Sequence, residues 1–281
     1  MTDGSNLARR LGHAADARLL IVNCDDVGSS HAANLACEQA MREGIATSGT
    51  LMTPCPWARE AVERFGDLDL GVHLTLTAEY DHYRWRSLTG AASLHDAEGY
   101  LPRTTAQALA NARPEDVLAE CRAQIDLALS WGVDVTHLDT HMGVVQVDPR
   151  FAEIYVALAV EYRLPLRMLG ERHHEDLAFD ARSWARDAGV LFPDDFIAEW
   201  GESTREVLAR QLPVRRPGVS EFNIHPVFDG PELRGYDPRE MHIRVADQAC
   251  AIDGEVADWI GGGGFVPISY RPLRDLQRAG G

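Results

Sequence analysis

Two adjacent carboxylates, Asp25 and Asp26, stand at the end of the apolar run Leu19-Leu20-Ile21-Val22 and shortly before Gly28. Further on, single histidines close other apolar stretches. His73 follows Leu70-Gly71-Val72, His137 and His141 flank Asp139, and His225 precedes Pro226. A carboxylate with two neutral imidazoles is a ligand set for a catalytic divalent cation, with positions left open for water and substrate. A further carboxylate beside it can act as general base, and a protonated histidine such as His225 as general acid to the leaving group. Two acids in a row need water, a cation or a metal, because unpaired charge in an apolar interior costs several kcal/mol. The competing explanation is that Asp25 or Asp26 only caps the next helix. Ser29 and Ser30 can do that instead. Any single one of the 11 histidines is more often a surface or satisfied interior group than a ligand. The signal is their recurrence at strand ends.

The elements that position these residues follow from the hydrophobic pattern. The run at 19–22, closed by a turn signal, reads as a strand buried on both faces. Further strands are expected over 47–53, 69–74, 133–138, 164–168, 218–224 and 265–270. Helices are expected over 30–42, 57–65, 114–131, 149–162 and 239–259, and a short one closes the chain. This alternation predicts a parallel α/β sheet. At 281 residues it suits a distorted (β/α) TIM-like barrel, in which the carboxyl ends of the strands gather on one face. Alternation within His137-x-Asp139-x-His141 places all three side chains on one side of an extended segment, where a ligand and its orienting partner can sit together.

Residues 1–18 read as a loose N-terminal segment, and 19–281 as a single barrel domain. The stretch 75–113 breaks the rhythm and carries Tyr80, Tyr83 and Trp85. A loop this long either bears function or is a surface excursion. Residues 171–217 are helical and loop-rich and silent on function. The glycines at 261–264 read as a turn.

Lysine and arginine number 27 against 43 aspartates and glutamates, a net charge of −16. That disfavours a nucleic-acid partner and an anionic membrane, and suits a neutral or cationic small substrate. No stretch approaches the ~20 apolar residues of a membrane span. The first 18 residues lack the apolar core of a signal peptide. Five cysteines without a Cys-x-x-Cys pair read as reduced, mostly buried thiols of a cytoplasmic protein.

Five motifs in order tie these residues to a family. They are Asn23-Cys24-Asp25-Asp26-Val27-Gly28, Gly71-Val72-His73-Leu74-Thr75, Thr136-His137-Leu138-Asp139-Thr140-His141, His225-Pro226 and Ile268-Ser269-Tyr270-Arg271-Pro272-Leu273. Together they resemble the YdjC-like carbohydrate deacetylases of the diacetylchitobiose (chitooligosaccharide) type, over about residues 19 to 273. The resemblance implies a distorted β/α barrel, one divalent metal ion (Mg or Zn) and hydrolysis of an N-acetyl group on a small acetylated sugar. It implies Asp26, His73 and His141 as metal ligands, Asp25 as general base and His225 as acid, with His137 and Asp139 orienting the ligands. Tyr80, Tyr83, Trp85 and Arg271 are expected to contact the sugar, and a homodimer is a family-level expectation. Two positions depart from the family's pattern. Gly143 stands where a second histidine is usual, and Val27 where phenylalanine is common. Two rival readings use the same scaffold. One is another metallohydrolase such as a phosphoesterase, for which Arg84, Arg86, Arg167 and Arg271 supply basic residues. The other is a non-catalytic sugar-binding protein.

Overall fold

The computed structural model describes residues 6–170, 177–198 and 200–280. Its centre is strand β1 (Arg18–Val27), buried along nearly its whole length. The other strands are β2 (Ser48–Leu51), β3 (Leu70–Leu74), β4 (Leu138–Thr140), β5 (Asp195–Ile197), β6 (Gly218–Ile224) and β7 (Phe265–Pro267). Six of them run in the order β4-β3-β2-β1-β6-β5, and β7 also pairs with β1. Every pairing is parallel. The sheet curls into a half-barrel flanked by helices, consistent with a distorted TIM-like barrel.

The distortion has two visible causes. β2 and β7 share one edge of β1. The Leu20 carbonyl accepts from Ile268 N at 2.9 Å and the Val22 carbonyl from Thr47 N at 2.8 Å. β7 therefore pairs with the first residues of β1, and β2 with the last. On the far side, between β4 and β5, the expected strand over 164–168 shrinks to a single bridge, Leu138 to Leu166. Pro165 has no N–H for a ladder, and Arg167 turns inward to carboxylates rather than packing apolar surface.

Most other elements stand where the pattern put them. The helices His31–Glu43, Ala58–Phe65, Pro114–Ser130, Pro149–Tyr162 and Arg271–Ala279 match expectation. The strand expected over 133–138 becomes regular only at Leu138–Thr140. Residues 136 and 137 already pair with β3, through Thr136 N to Leu70 O at 2.9 Å and Val72 N to His137 O at 3.0 Å. The long helix expected over 239–259 is two helices, Met241–Ala251 and Gly254–Gly262. Asp253 breaks it by capping the second one at Glu255 N, 2.9 Å away, which is what a short polar side chain does at a helix start. The second helix takes in Gly261 and Gly262, so the glycine-rich turn begins later than expected.

From Asn6 onward, the N-terminal segment is more ordered than a loose tail. Asn6 caps the helix Leu7–Arg10. Leu7 and Ala8 are buried with Leu19, Ile21, Val219 and Tyr270 near the amino ends of the strands. Residues 1–5 lie outside the described residues. So do 171–176 and 199, within the stretch that gave no functional signal; β5 emerges from the rest of that stretch. Among the described residues, no helix is long and apolar enough to cross a membrane.

Candidate active site

The carboxyl end of β1 breaks strand geometry. In a regular strand, neighbouring side chains point to opposite faces. Asp26 adopts φ +60° and Gly28 φ +90°, so Asp25 and Asp26 both line the same cavity. Aspartate tolerates the left-handed region better than most residues. Gly28 has no alternative, because a Cβ there would lie 2.7 Å from the Ala58 Cα.

Asp26 Oδ1 lies 3.1 Å from His141 Nδ1 and 3.4 Å from His73 Nε2. That oxygen is buried without a hydrogen-bond partner among the described residues. Its other oxygen accepts from Arg244 Nη1 at 2.9 Å. Bonds of ~2.0–2.2 Å to one ion separate neighbouring donors by roughly 3 Å, so Asp26, His73 and His141 have the donor chemistry and spacing for a divalent cation. Behind each imidazole stands a carboxylate. Asp139 Oδ2 is 2.7 Å from His73 Nδ1, and Glu79 Oε2 is 3.0 Å from His141 Nε2. Such a partner fixes the tautomer and orientation of a ligating histidine.

Asp25 accepts four hydrogen bonds from three residues. Its Oδ1 accepts from Asn23 Nδ2 and Arg167 Nη2, both at 2.8 Å. Its Oδ2 accepts from Arg167 Nη1 at 2.7 Å and Asn223 Nδ2 at 3.0 Å. Arg167 also binds Asp139 and Glu221. His225 Nε2 lies 3.7 Å from Asp25 Oδ2, and its Nδ1 lies 3.7 Å from Asp247.

Burial and charge compete at each of these groups. Burial pushes Asp25 up, but the Arg167 guanidinium outweighs it and holds the carboxyl well below the usual range. Asp26 is likewise low, because His141, His73 and Arg244 overcome its burial. Burial disfavours charged His73, yet Asp139 and Asp26 lift it to about 9. Glu79 and Asp26 lift His141 to about 10 against the same penalty. Burial carries Glu221, a layer below, to about 7 despite Arg167.

The cavity of about 490 Å³ is lined by Asp25, Asp26, His73, Asp139, His141 and His225. Those six residues come together as the strand-end argument requires. His137 does not reach them. It is buried one layer deeper, stacked on Tyr270 at 3.7 Å between ring centroids. Burial holds it well below the usual histidine range and so neutral. Tyr80 lines the cavity and takes a hydrogen bond from Arg244 at 2.7 Å. Tyr83 and Trp85 instead serve the wall. Tyr83 donates to Ser29 O at 2.6 Å, and Trp85 to Thr77 O at 2.8 Å. Arg271 lies at the amino ends of β3 and β4, bonded to Asp134 and away from the cavity lining. Gly143 lines the cavity at φ +68°, with only Val147 within 4 Å of an added Cβ. Glu79, Arg244 and Trp200 also line the cavity and were not singled out by spacing.

The model of the YdjC-like protein family matches residues 19–261. The chain belongs to the YdjC-like family. A carbohydrate deacetylase of Thermus thermophilus is 42% identical over 159 residues, 57% of this chain and 56% of that protein. One of Thermoanaerobacter pseudethanolicus is 29% identical over 92% of this chain and all of that protein, 100%. One of Vibrio cholerae is 31% identical over 85% of this chain and 94% of that protein. With the Thermus protein and the Geobacillus stearothermophilus and Brevibacillus brevis deacetylases, the match spans little more than half their length, 56%, 59% and 58%. Among solved structures, an Enterococcus faecalis V583 protein named for a proposed cleavage of cellobiose phosphate superposes with TM-score 0.81. It is 25% identical, with 92% of this YdjC-like chain and 99% of that chain covered.

Proposed function

We propose that this YdjC-like protein is a metal-dependent carbohydrate deacetylase. It would hydrolyse the N-acetyl group of an amino sugar or small oligosaccharide, giving acetate and the free amine. One observation carries the reading: the buried Asp26 Oδ1, satisfied by no hydrogen bond among the described residues, set between two imidazoles in a cavity that Asp25 and His225 also line. Binding alone gives no reason to keep a second ionised carboxylate next to such a group. Asp26, His73 and His141 would hold the ion. When bound, it would polarise the acetamide carbonyl and acidify water. Asp25 would accept the proton of the attacking water; Arg167 keeps it ionised, and Asn23 and Asn223 fix its plane. His225 would give a proton to the departing nitrogen, with Asp247 on its other side. The names of the deacetylase relatives support this substrate class. Five buried, unpaired cysteines support a cytoplasmic enzyme. The homodimer stays a proposal drawn from the resemblance.

The phosphoesterase rival fits less well. Arg167 is bound by three carboxylates, Arg84 by Asp96 and Glu98, and Arg271 by Asp134. A second ion would need Asp25, His73 and Asp139. There Arg167 Nη1 already bridges the two carboxylates, at 2.7 and 2.5 Å. A guanidinium thus takes the place of a second cation, which supports one ion per site.

The test is acetate release from N-acetylglucosamine, diacetylchitobiose and longer chitooligosaccharides. It uses metal-stripped protein and protein refilled with Mg, Mn, Co or Zn. Release should require metal and fall ~10²- to 10⁴-fold in Asp25→Asn. Metal-bound protein that releases no acetate from any of these sugars would overturn the reading.

A further inference from the structure

Trp200 is a large apolar side chain left 46% exposed, and it stands on the lining of the cavity. Its position is nevertheless fixed from three directions. Its indole N–H donates to Glu240 at 3.2 Å. The Arg244 guanidinium lies 5.3 Å from its ring centroid. The His225 ring meets it at 4.8 Å, nearly perpendicular at 87°. Arg244 is itself immobilised by Asp26, Asp237 and Tyr80. An indole this well held gains little further order on binding, so a ligand laid on it loses little free energy to ordering. Exposed apolar area at a cavity mouth is stabilised when a ligand covers it.

We propose that Trp200 is the platform for the sugar ring that bears the reacting nitrogen. The inference rests on the deacetylase reading. If His225 protonates the departing amine, the ring carrying that nitrogen must lie on the His225 side of the site. Trp200 is the exposed aromatic packed against His225. The apolar C–H face of a pyranose suits an indole face, and its hydroxyls suit the carboxylate-rich lining. Seven carboxylates and two arginines line the cavity. An uncharged sugar is therefore the class that fits, and a phosphorylated ring is disfavoured. Trp200 is a positioning residue that sets substrate affinity. His225 carries the chemistry beside it.

Two measurements on metal-loaded protein test this, with diacetylchitobiose as probe. In steady-state acetate release, Trp200→Ala should raise KM roughly ten- to hundred-fold with kcat within about three-fold, and Trp200→Phe should recover most of the loss. In calorimetric titration of the Asp25→Asn protein, the probe should bind, and adding Trp200→Ala should weaken that binding by a similar factor. An unchanged KM and unchanged probe affinity would overturn the platform. So would a fall in kcat at constant KM, since Trp200 would then act only by orienting His225. If the protein binds the probe through Trp200 but the wild type releases no acetate, Trp200 still holds a sugar ring, and the deacetylase reading fails together with the assignment of that ring to the reacting nitrogen. If acetate is released and Trp200 variants leave KM unchanged, the reverse holds.

Discussion

Each histidine proposed to hold the ion is backed by a carboxylate on its far ring nitrogen, Asp139 for His73 and Glu79 for His141. The pairing is asymmetric in origin. Asp139 comes from β4, and Glu79 from the irregular stretch after β3. Both are buried or nearly so, and the charge each adds raises its imidazole against the penalty of burial. Loss of such a partner leaves the ligand in place but frees its ring to turn and lowers its basicity. Glu79→Gln should therefore weaken divalent-metal affinity ~10- to 100-fold, as expected for groups that orient ligands. Asp139→Asn should do the same. A competition titration with a chromogenic chelator measures this directly, without reference to catalysis. An unchanged affinity in Glu79→Gln would show that His141 is held by something else.

The strands set the depth at which each residue stands, and depth separates His137 from its neighbours. It occupies the same inward row as Asp139 but two residues lower, where β3 comes so close that only glycine fits opposite. A Cβ on Gly71 would lie 2.5 Å from His137 Nδ1 and 2.7 Å from its carbonyl. Gly71→Ala should cost about 1–3 kcal/mol, the range for overpacking a filled interior, read as a lower urea midpoint with an unchanged slope. A midpoint within error of the wild type would mean that β3 and β4 separate freely. Depth along a strand is hard to read from spacing, so the alternation that sets His137 beside Asp139 as an orienting partner does not show that it stands a layer below the cavity. The ends of β1, β3, β4 and β6 were legible because each joins an apolar run to a chemically distinct residue. Glu79 was not, since the stretch around it has no period to place it. Arg244 sits at a buried position of the helix Met241–Ala251, and an arginine is ordinarily read as surface. Trp200 follows β5, whose three residues are too short for any pattern. The left-handed turn at Asp26 is likewise invisible in composition, yet it delivers both acids to one cavity.

At the scale of the whole molecule, the proposed ion site would couple folding, protons and metal. Without an ion, His73 and His141 act as the buried countercharges of Asp26, Asp139 and Glu79. Their folded pKa values, about 9 and about 10, lie above the ordinary ~6.5. The stability they contribute is thus full below about pH 6.5 and is lost as pH rises through 9 to 10. Asp25 and Asp26 are depressed in the folded state. Their contribution is present above about pH 4 and is lost as pH falls through their folded values. The joint contribution of these four groups to the metal-free protein should accordingly be greatest between about pH 4 and 6.5. A cation bound there would replace the imidazolium charges, and its ligands would have to shed protons to bind it. At pH 7, metal uptake should therefore release close to two protons, one from each histidine, and none from Asp26, which is already ionised. Calorimetric titration in buffers of different ionisation enthalpy counts those protons. The same linkage requires that stripping the metal lower Tm more at pH 9 than at pH 6, because at pH 9 protons compete less with the ion for the two imidazoles and the metal-free protein has begun to lose its imidazolium countercharges. Metal uptake without proton release, or a Tm difference independent of pH, would mean that these two histidines are neutral before the ion arrives and that Asp26 is balanced chiefly by Arg244.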